Sequence, residues 1–175
     1  MEEIKIDVEK GDEEEVQKIR AWAARVPEKW IDDLETIYLF DDFMMNLVSK
    51  DLVSRHPKGE GILGMVKDKT ILLRKWRGDD FHSIEQTFYH EAAHMGYDKK
   101  TVEEKKKLSP ELLSIWNQYF KHFLHYKDAD YQNNESEIFA RIYSYLMLLT
   151  GEKAVIDLSK VIGSAMMKRM QEMFK

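Results

Sequence analysis

Helix-breaking residues are scarce in this chain, and their scarcity constrains the fold more than any other feature. Three prolines and eight glycines are spread over 175 residues, which leaves long stretches free to form regular structure, most of it helical. Hydrophobic residues make up 43% of the sequence and charged residues 34%, a balance typical of a folded domain with a core. The sequence therefore predicts a single, helix-rich domain spanning residues 1–175.

Short segments between the predicted helices have the composition of strands. Residues 36–40 are rich in β-branched and aromatic side chains, which favour a strand. Two more strands are predicted at 61–67 and 70–74, joined by a tight turn at Asp68 and Lys69. A small twisted sheet among helices places the chain in the α+β class. Helices are predicted at 12–23, 43–52, 81–97, 109–124 (with Ser109 as N-cap and Pro110 in the first turn) and 158–174. A further helix is predicted to run from an N-cap at Asn133 or Asn134 to residue 149.

Composition and charge exclude several classes of function. Cysteine is absent, so the chain has no disulfide, no thiol nucleophile and no cysteine metal site. A net charge of −5 argues against a nucleic-acid partner. No apolar run is long enough to span a bilayer, and the N-terminus is acidic where a secretory signal would be basic. We therefore expect a cytoplasmic protein without a membrane partner.

One predicted helix carries a pattern with chemical meaning, His90-Glu91-Ala-Ala-His94. Positions four apart on a helix lie about 40° apart around the axis and about 6 Å along it. Two imidazoles placed in this way can bind one zinc ion. Glu91 would then lie beside the metal, where it can accept a proton from metal-bound water. The pattern predicts His90 and His94 as metal ligands and Glu91 as general base; the alternative is a helix with two surface histidines.

A catalytic zinc site needs a third protein ligand, and without cysteine a carboxylate is the best candidate. The segment 133–143 offers Glu135 and Glu137. Glu137 precedes small residues on its own helix face, which would allow two helices to approach closely. If Asn134 is the N-cap, however, Glu137 could close a capping box and Glu135 could be a first-turn carboxylate. The residues alone favour Glu137 but leave these alternatives open.

The two segments together resemble the gluzincin zinc metallopeptidases with a compact catalytic domain, such as the minigluzincins and the protease domain of anthrax lethal factor. The chain has FYHEAAH and YQNNESEIFARIY where that family has HExxH and a motif resembling N-E-x-E-x-F-A. The resemblance implies a zincin-like fold, Zn²⁺ as cofactor and Glu137 as third ligand. It also implies that Tyr131 stabilises the oxyanion. Arg141 departs from the family, which often has a second acid at that position.

The resemblance implies a zinc metalloendopeptidase that acts on a protein or peptide substrate. The strand 70–74 would border the cleft, and its exposed edge could bind an extended peptide by strand addition. A rival hypothesis is a latent or inactive zincin-fold protein, acting as a binding module or as a phage or toxin-system component. In that hypothesis the segment 151–175, or a partner, closes the cleft; the alternative is that this segment completes the core. The sequence leaves the oligomeric state open.

Overall fold

The computed structural model describes residues 4–8, 13–41, 44–45, 63–75, 81–120, 134–149 and 164–174. Contacts between residues divide the chain into two compact units, Met1–Ala92 and Ala93–Lys175. The dividing point falls inside one continuous helix. The single domain over residues 1–175 stays a prediction, and the two units are described separately below.

The first unit contains a four-stranded mixed sheet with the strand order β1-β2-β4-β3. β1 and β4 both pair with β2 in parallel, whereas β3 pairs with β4 in antiparallel orientation. β2 lies inside the sheet, with Ile37 and Leu39 buried, and it occupies the segment 36–40 that was predicted to be a strand. The strands are β1 (Lys5–Val8), β2 (Thr36–Phe40), β3 (Gly64–Lys67) and β4 (Thr70–Arg74).

The prediction that residues 70–74 present an exposed edge is wrong. β4 lies between β2 and β3 and pairs with both. Its residues from Ile71 to Arg74 are all buried, the pattern of a strand covered on both faces. The tight turn, in which Asp68 has a φ of 53°, folds β3 back along β4 and gives β3 the outer position. Among the described residues the edge strands are therefore β1 and β3.

Two helices of the first unit pack through aromatic side chains. α1 (Glu13–Ala23) and the beginning of α2 (Phe81–Asp98) meet where the rings of Trp22 and Phe88 lie 6.2 Å apart. Arg25, just after α1, donates to Glu85 at 3.2 Å and to the Tyr89 hydroxyl at 2.9 Å. Because Phe88 and Tyr89 are fully buried, these contacts fix one face of α2 within this unit.

The second unit begins with the last turns of α2, and its described residues form helices and short turns, without a strand. Its core contains Phe139, with Tyr97 and Phe174 in ring contact at centroid distances of 5.3 and 4.9 Å. The other helices are α3 (Val102–Ile115), a π-helical turn (Trp116–Phe120), α4 (Glu135–Leu149) and α5 (Ser164–Met173).

The predicted start of α3 is wrong. The helix begins at Val102, after a capping box in which the Thr101 hydroxyl accepts from the Glu104 amide at 3.2 Å. The Glu104 carboxylate in turn accepts from the Thr101 amide at 2.7 Å. Pro110 therefore lies inside the helix, where it removes one backbone hydrogen bond. The full capping box stabilises the earlier start, and Ser109 is free of the capping role predicted for it.

The C-terminal helix α5 contributes to the core of the second unit. Met170 is fully buried, and Phe174 is 5% exposed. The Phe174 ring lies 5.1 Å from the ring of Tyr143 in α4. The sequence left two roles open for the segment 151–175, completing the core or closing the cleft. The contacts of Met170 and Phe174 are those expected if the segment completes the core. Residues 151–163 lie outside the described part of the chain.

The α+β class predicted from the sequence is confirmed, since a small mixed sheet and several helices make up the described residues. Among these residues, no helix has both the length and the apolar composition needed to cross a bilayer.

Candidate metal centre

His90 and His94 lie one turn apart on α2, next to residues of the same helix that are fully buried. Ala92 and Ala93 are fully buried, and their small side chains permit other elements to approach the helix. His90 and His94 are partly buried, and Glu91 between them is 8% exposed. The i, i+4 spacing thus gives two imidazoles one helical turn apart, next to a carboxylate with little access to solvent.

The first turn of α4 supplies the carboxylate. Asn134 is the N-cap of this helix, because its side-chain oxygen accepts hydrogen bonds from the amides of Ser136 and Glu137 at 3.0 and 3.4 Å. This is one of the alternatives that the sequence left open. The helix therefore begins at Glu135, and Glu137 lies within its first turn. Ala140 and Ser144, the small residues along the face of Glu137, are buried.

His90, His94 and Glu137 come together as a group that could hold a metal ion. One ring nitrogen of each histidine and one oxygen of Glu137 all lie within 4.8 Å of one another. The Nε2 atom of His94 lies 3.4 Å from Oε1 of Glu137. Ligand atoms bound tetrahedrally at about 2.0–2.1 Å from one zinc ion lie roughly 3.3 Å apart. The three residues therefore form a possible metal site, and the separation of His94 and Glu137 is compatible with two ligands of one ion.

The structure distinguishes between the two candidate carboxylates. Glu135 accepts from the Ser109 hydroxyl at 2.5 Å and from the Tyr97 hydroxyl at 3.1 Å, so each of its oxygens has a protein donor. Glu137 is the carboxylate that faces His94, and its second oxygen lies 3.5 Å from Nε of Arg141. Arg141, the departure from the family pattern, is thus an ion-pair partner of the candidate ligand.

The phenol of Tyr97 has a pKa well above the ordinary value for tyrosine. The pKa of Tyr97 is raised to about 12, first by burial and in addition by the hydrogen bond to Glu135 and the negative charges of Glu135 and Asp98. The neutral phenol is favoured because it donates to the carboxylate, whereas a phenolate would be desolvated and repelled.

This shift predicts a loss of stability at alkaline pH. Because the pKa is raised in the folded state, the stabilisation is complete below pH 10, the ordinary pKa of tyrosine, and is lost as the pH rises towards about 12. We expect the free energy of unfolding to fall by roughly 2 kcal/mol more in the wild type than in Tyr97→Phe over this interval. Urea titrations of both proteins would measure the difference. Parallel pH profiles would contradict the prediction.

Glu91 lies directly against the edge strand β3. A Cβ atom added to Gly64 would collide with Cγ2 of Thr87 and would lie 3.0 Å from both Cγ and Oε1 of Glu91. Only a residue without a side chain allows β3 to pass this close to α2. β3 is thus a strand that borders the predicted general base.

The structure brings three of the predicted site residues together, and two residues that were not predicted each lie against one predicted residue. His90, His94 and Glu137 form the candidate metal centre. Tyr131 lies outside the described residues, so its role as oxyanion donor stays a prediction. Sequence reasoning missed Gly64, for which the only signal is a glycine within a predicted strand. It also missed Ser136, whose hydroxyl lies 2.8 Å from Nδ1 of His94 and which occupies a variable position of the family motif.

Known proteins give no independent guide to this site. No family model, curated protein or solved structure matches the chain. The case for a metal centre therefore depends on the two sequence motifs and on the side chains that the fold brings together.

Proposed function

We propose that the chain is a zinc-dependent metallopeptidase of the gluzincin kind that hydrolyses internal peptide bonds. The observation that carries the proposal is the approach of His90, His94 and Glu137 within 4.8 Å of one another. Two histidines and one glutamate, with a fourth position left for water, are the ligand set of several catalytic zinc sites in peptidases. A structural zinc site, in contrast, ordinarily has four protein ligands.

The residues around the centre would divide the chemistry among them. Zinc, when bound, polarises the scissile carbonyl and acidifies the attacking water. Glu91 accepts a proton from that water as its oxygen bonds to the carbonyl carbon, and delivers the proton to the amine as the C–N bond breaks. Glu91 is only 8% exposed, which limits competition from bulk water. Tyr131 is proposed to donate a hydrogen bond to the oxyanion.

The edge strand β3 is the proposed platform for the substrate. Within the described residues β3 pairs only with β4, and Gly64 places its backbone against Glu91. An extended peptide that adds to this edge would bring its main chain close to the general base. Main-chain hydrogen bonds supply affinity for many sequences in this mode of binding, so we propose a substrate in extended conformation.

Cleavage of a peptide library by the zinc-loaded protein tests the proposal. We expect new termini at internal bonds, a labelled oxygen in each new carboxyl terminus when heavy-oxygen water is used, and loss of cleavage after chelation with recovery on adding zinc. Mass spectrometry measures all three. If the zinc-saturated protein binds peptides without cleaving them, the alternative of a zincin-like binding module is supported instead.

A further inference from the structure

His94 is contacted on both of its ring nitrogens by consecutive residues of α4. Its Nε2 atom lies 3.4 Å from Oε1 of Glu137, on the side of the candidate metal ion. Its Nδ1 atom lies 2.8 Å from Oγ of Ser136. The first turn of α4 therefore carries the candidate ligand Glu137. It also carries Ser136, which contacts the other ring nitrogen of the candidate ligand His94.

The chemistry of imidazole gives this contact a consequence for metal binding. A neutral imidazole has one N–H, and a nitrogen that binds a metal must offer its lone pair. If Nε2 binds the metal, Nδ1 would carry the hydrogen and would donate it to the Ser136 hydroxyl. A partner at that nitrogen fixes both the tautomer and the ring orientation, and raises the basicity of the ligand.

We propose that Ser136 is a positioning residue that holds His94 in the orientation and tautomer needed to bind the metal. The inference rests on the metal centre of the proposed function and assigns a role to a residue that the two sequence motifs leave variable. Ser136 acts through His94 and does not itself contact the metal.

Ser136 is suited to this role because hydrogen bonds hold its own amide and the side chain of the residue before it. Its amide donates to the Asn134 side chain at 3.0 Å. The preceding residue, Glu135, is anchored by hydrogen bonds from Tyr97 and Ser109. A hydroxyl on a turn held at these points can orient a ring, whereas a hydroxyl on a mobile segment would follow the ring instead.

Zinc affinity and the imidazole spectrum test the role of Ser136. In a chelator competition, Ser136→Ala should weaken zinc binding by about 10–100-fold, while Ser136→Thr, which keeps the hydroxyl, should stay close to the wild type. The control is Ser144→Ala, because Ser144 is another serine of α4, is buried, and donates its hydroxyl to the Arg141 carbonyl at 3.0 Å. That control should leave zinc affinity unchanged, although it removes one hydrogen bond.

A spectroscopic readout separates positioning from a general loss of stability. In the zinc-loaded, nitrogen-labelled protein, the Nδ1–H proton of His94 should be protected from exchange by Ser136, and its signal should weaken or disappear in Ser136→Ala but persist in Ser144→Ala. Equal zinc affinity and equal imidazole signals in Ser136→Ala and the wild type would overturn this inference alone. A wild-type protein that binds no zinc would overturn the metal centre as well.

Discussion

Glu91→Gln should lower peptide cleavage by about 10²–10⁴-fold, the contribution typical of a positioned general base, while the zinc content stays unchanged. The carboxamide keeps the shape of the carboxylate but cannot accept a proton from water. Shape matters at this position because Glu91 is 8% exposed and lies against Gly64 of β3. Metal analysis and cleavage kinetics on the same protein samples would measure the two quantities together.

The matched control for this substitution is Glu85→Gln on the same helix. The Glu85 side chain is 19% exposed and forms an ion pair with Arg25, so the change removes one carboxylate from α2 away from the candidate metal ligands. We expect near wild-type cleavage from this variant. Wild-type cleavage by Glu91→Gln, or an equal loss in both variants, would remove Glu91 from the role of general base.

Replacement of Glu137 by Gln, or of His94 by Ala, should abolish stable zinc binding. Each change leaves two protein ligands where a catalytic site has three, so the wild type should retain about one zinc ion per chain after dialysis and the variants almost none. Elemental analysis together with a measurement of helix content would show whether the loss occurs in a folded protein.

The adjacent carboxylate provides the control for the ligand assignment. Glu135→Gln changes the same chemical group two residues earlier, but Glu135 accepts from Tyr97 and Ser109 and is not part of the candidate metal group. We expect this variant to retain zinc. If Glu135→Gln loses zinc and Glu137→Gln retains it, the two residues have been assigned the wrong way round.

Local patterns in the sequence predicted the elements that carry the candidate ligands. Apolar residues at helical spacing predicted α2 almost to its ends, and Asn134 was one of two N-caps proposed for α4. The i, i+4 spacing of His90 and His94 is itself a property of one helix. These features depend on residues close in sequence, and for that reason they can be predicted without knowledge of the fold.

Features that depend on distant residues were missed or predicted wrongly. β1 alternates charged and apolar residues over only four positions, and its partner β2 follows far along the chain. The inner position of β4 depends on pairing with β2 as well as with its hairpin neighbour β3. Strand composition does not encode these pairings. The same limit applies to Ser136, since only the folded chain brings its hydroxyl to His94.

The start of α4 gives metal binding a thermodynamic consequence for the fold. Asn134 caps the helix, Glu135 ties it to Tyr97 and Ser109, and Glu137 faces His94, all within one turn. A helix cap is worth about 1 kcal/mol, and zinc at 100 times its dissociation constant adds about 2.7 kcal/mol to the stability of the folded state. If the proposed zinc ion binds, helix initiation and metal occupancy are coupled through the same few residues, and the coupling free energy is the same in both directions.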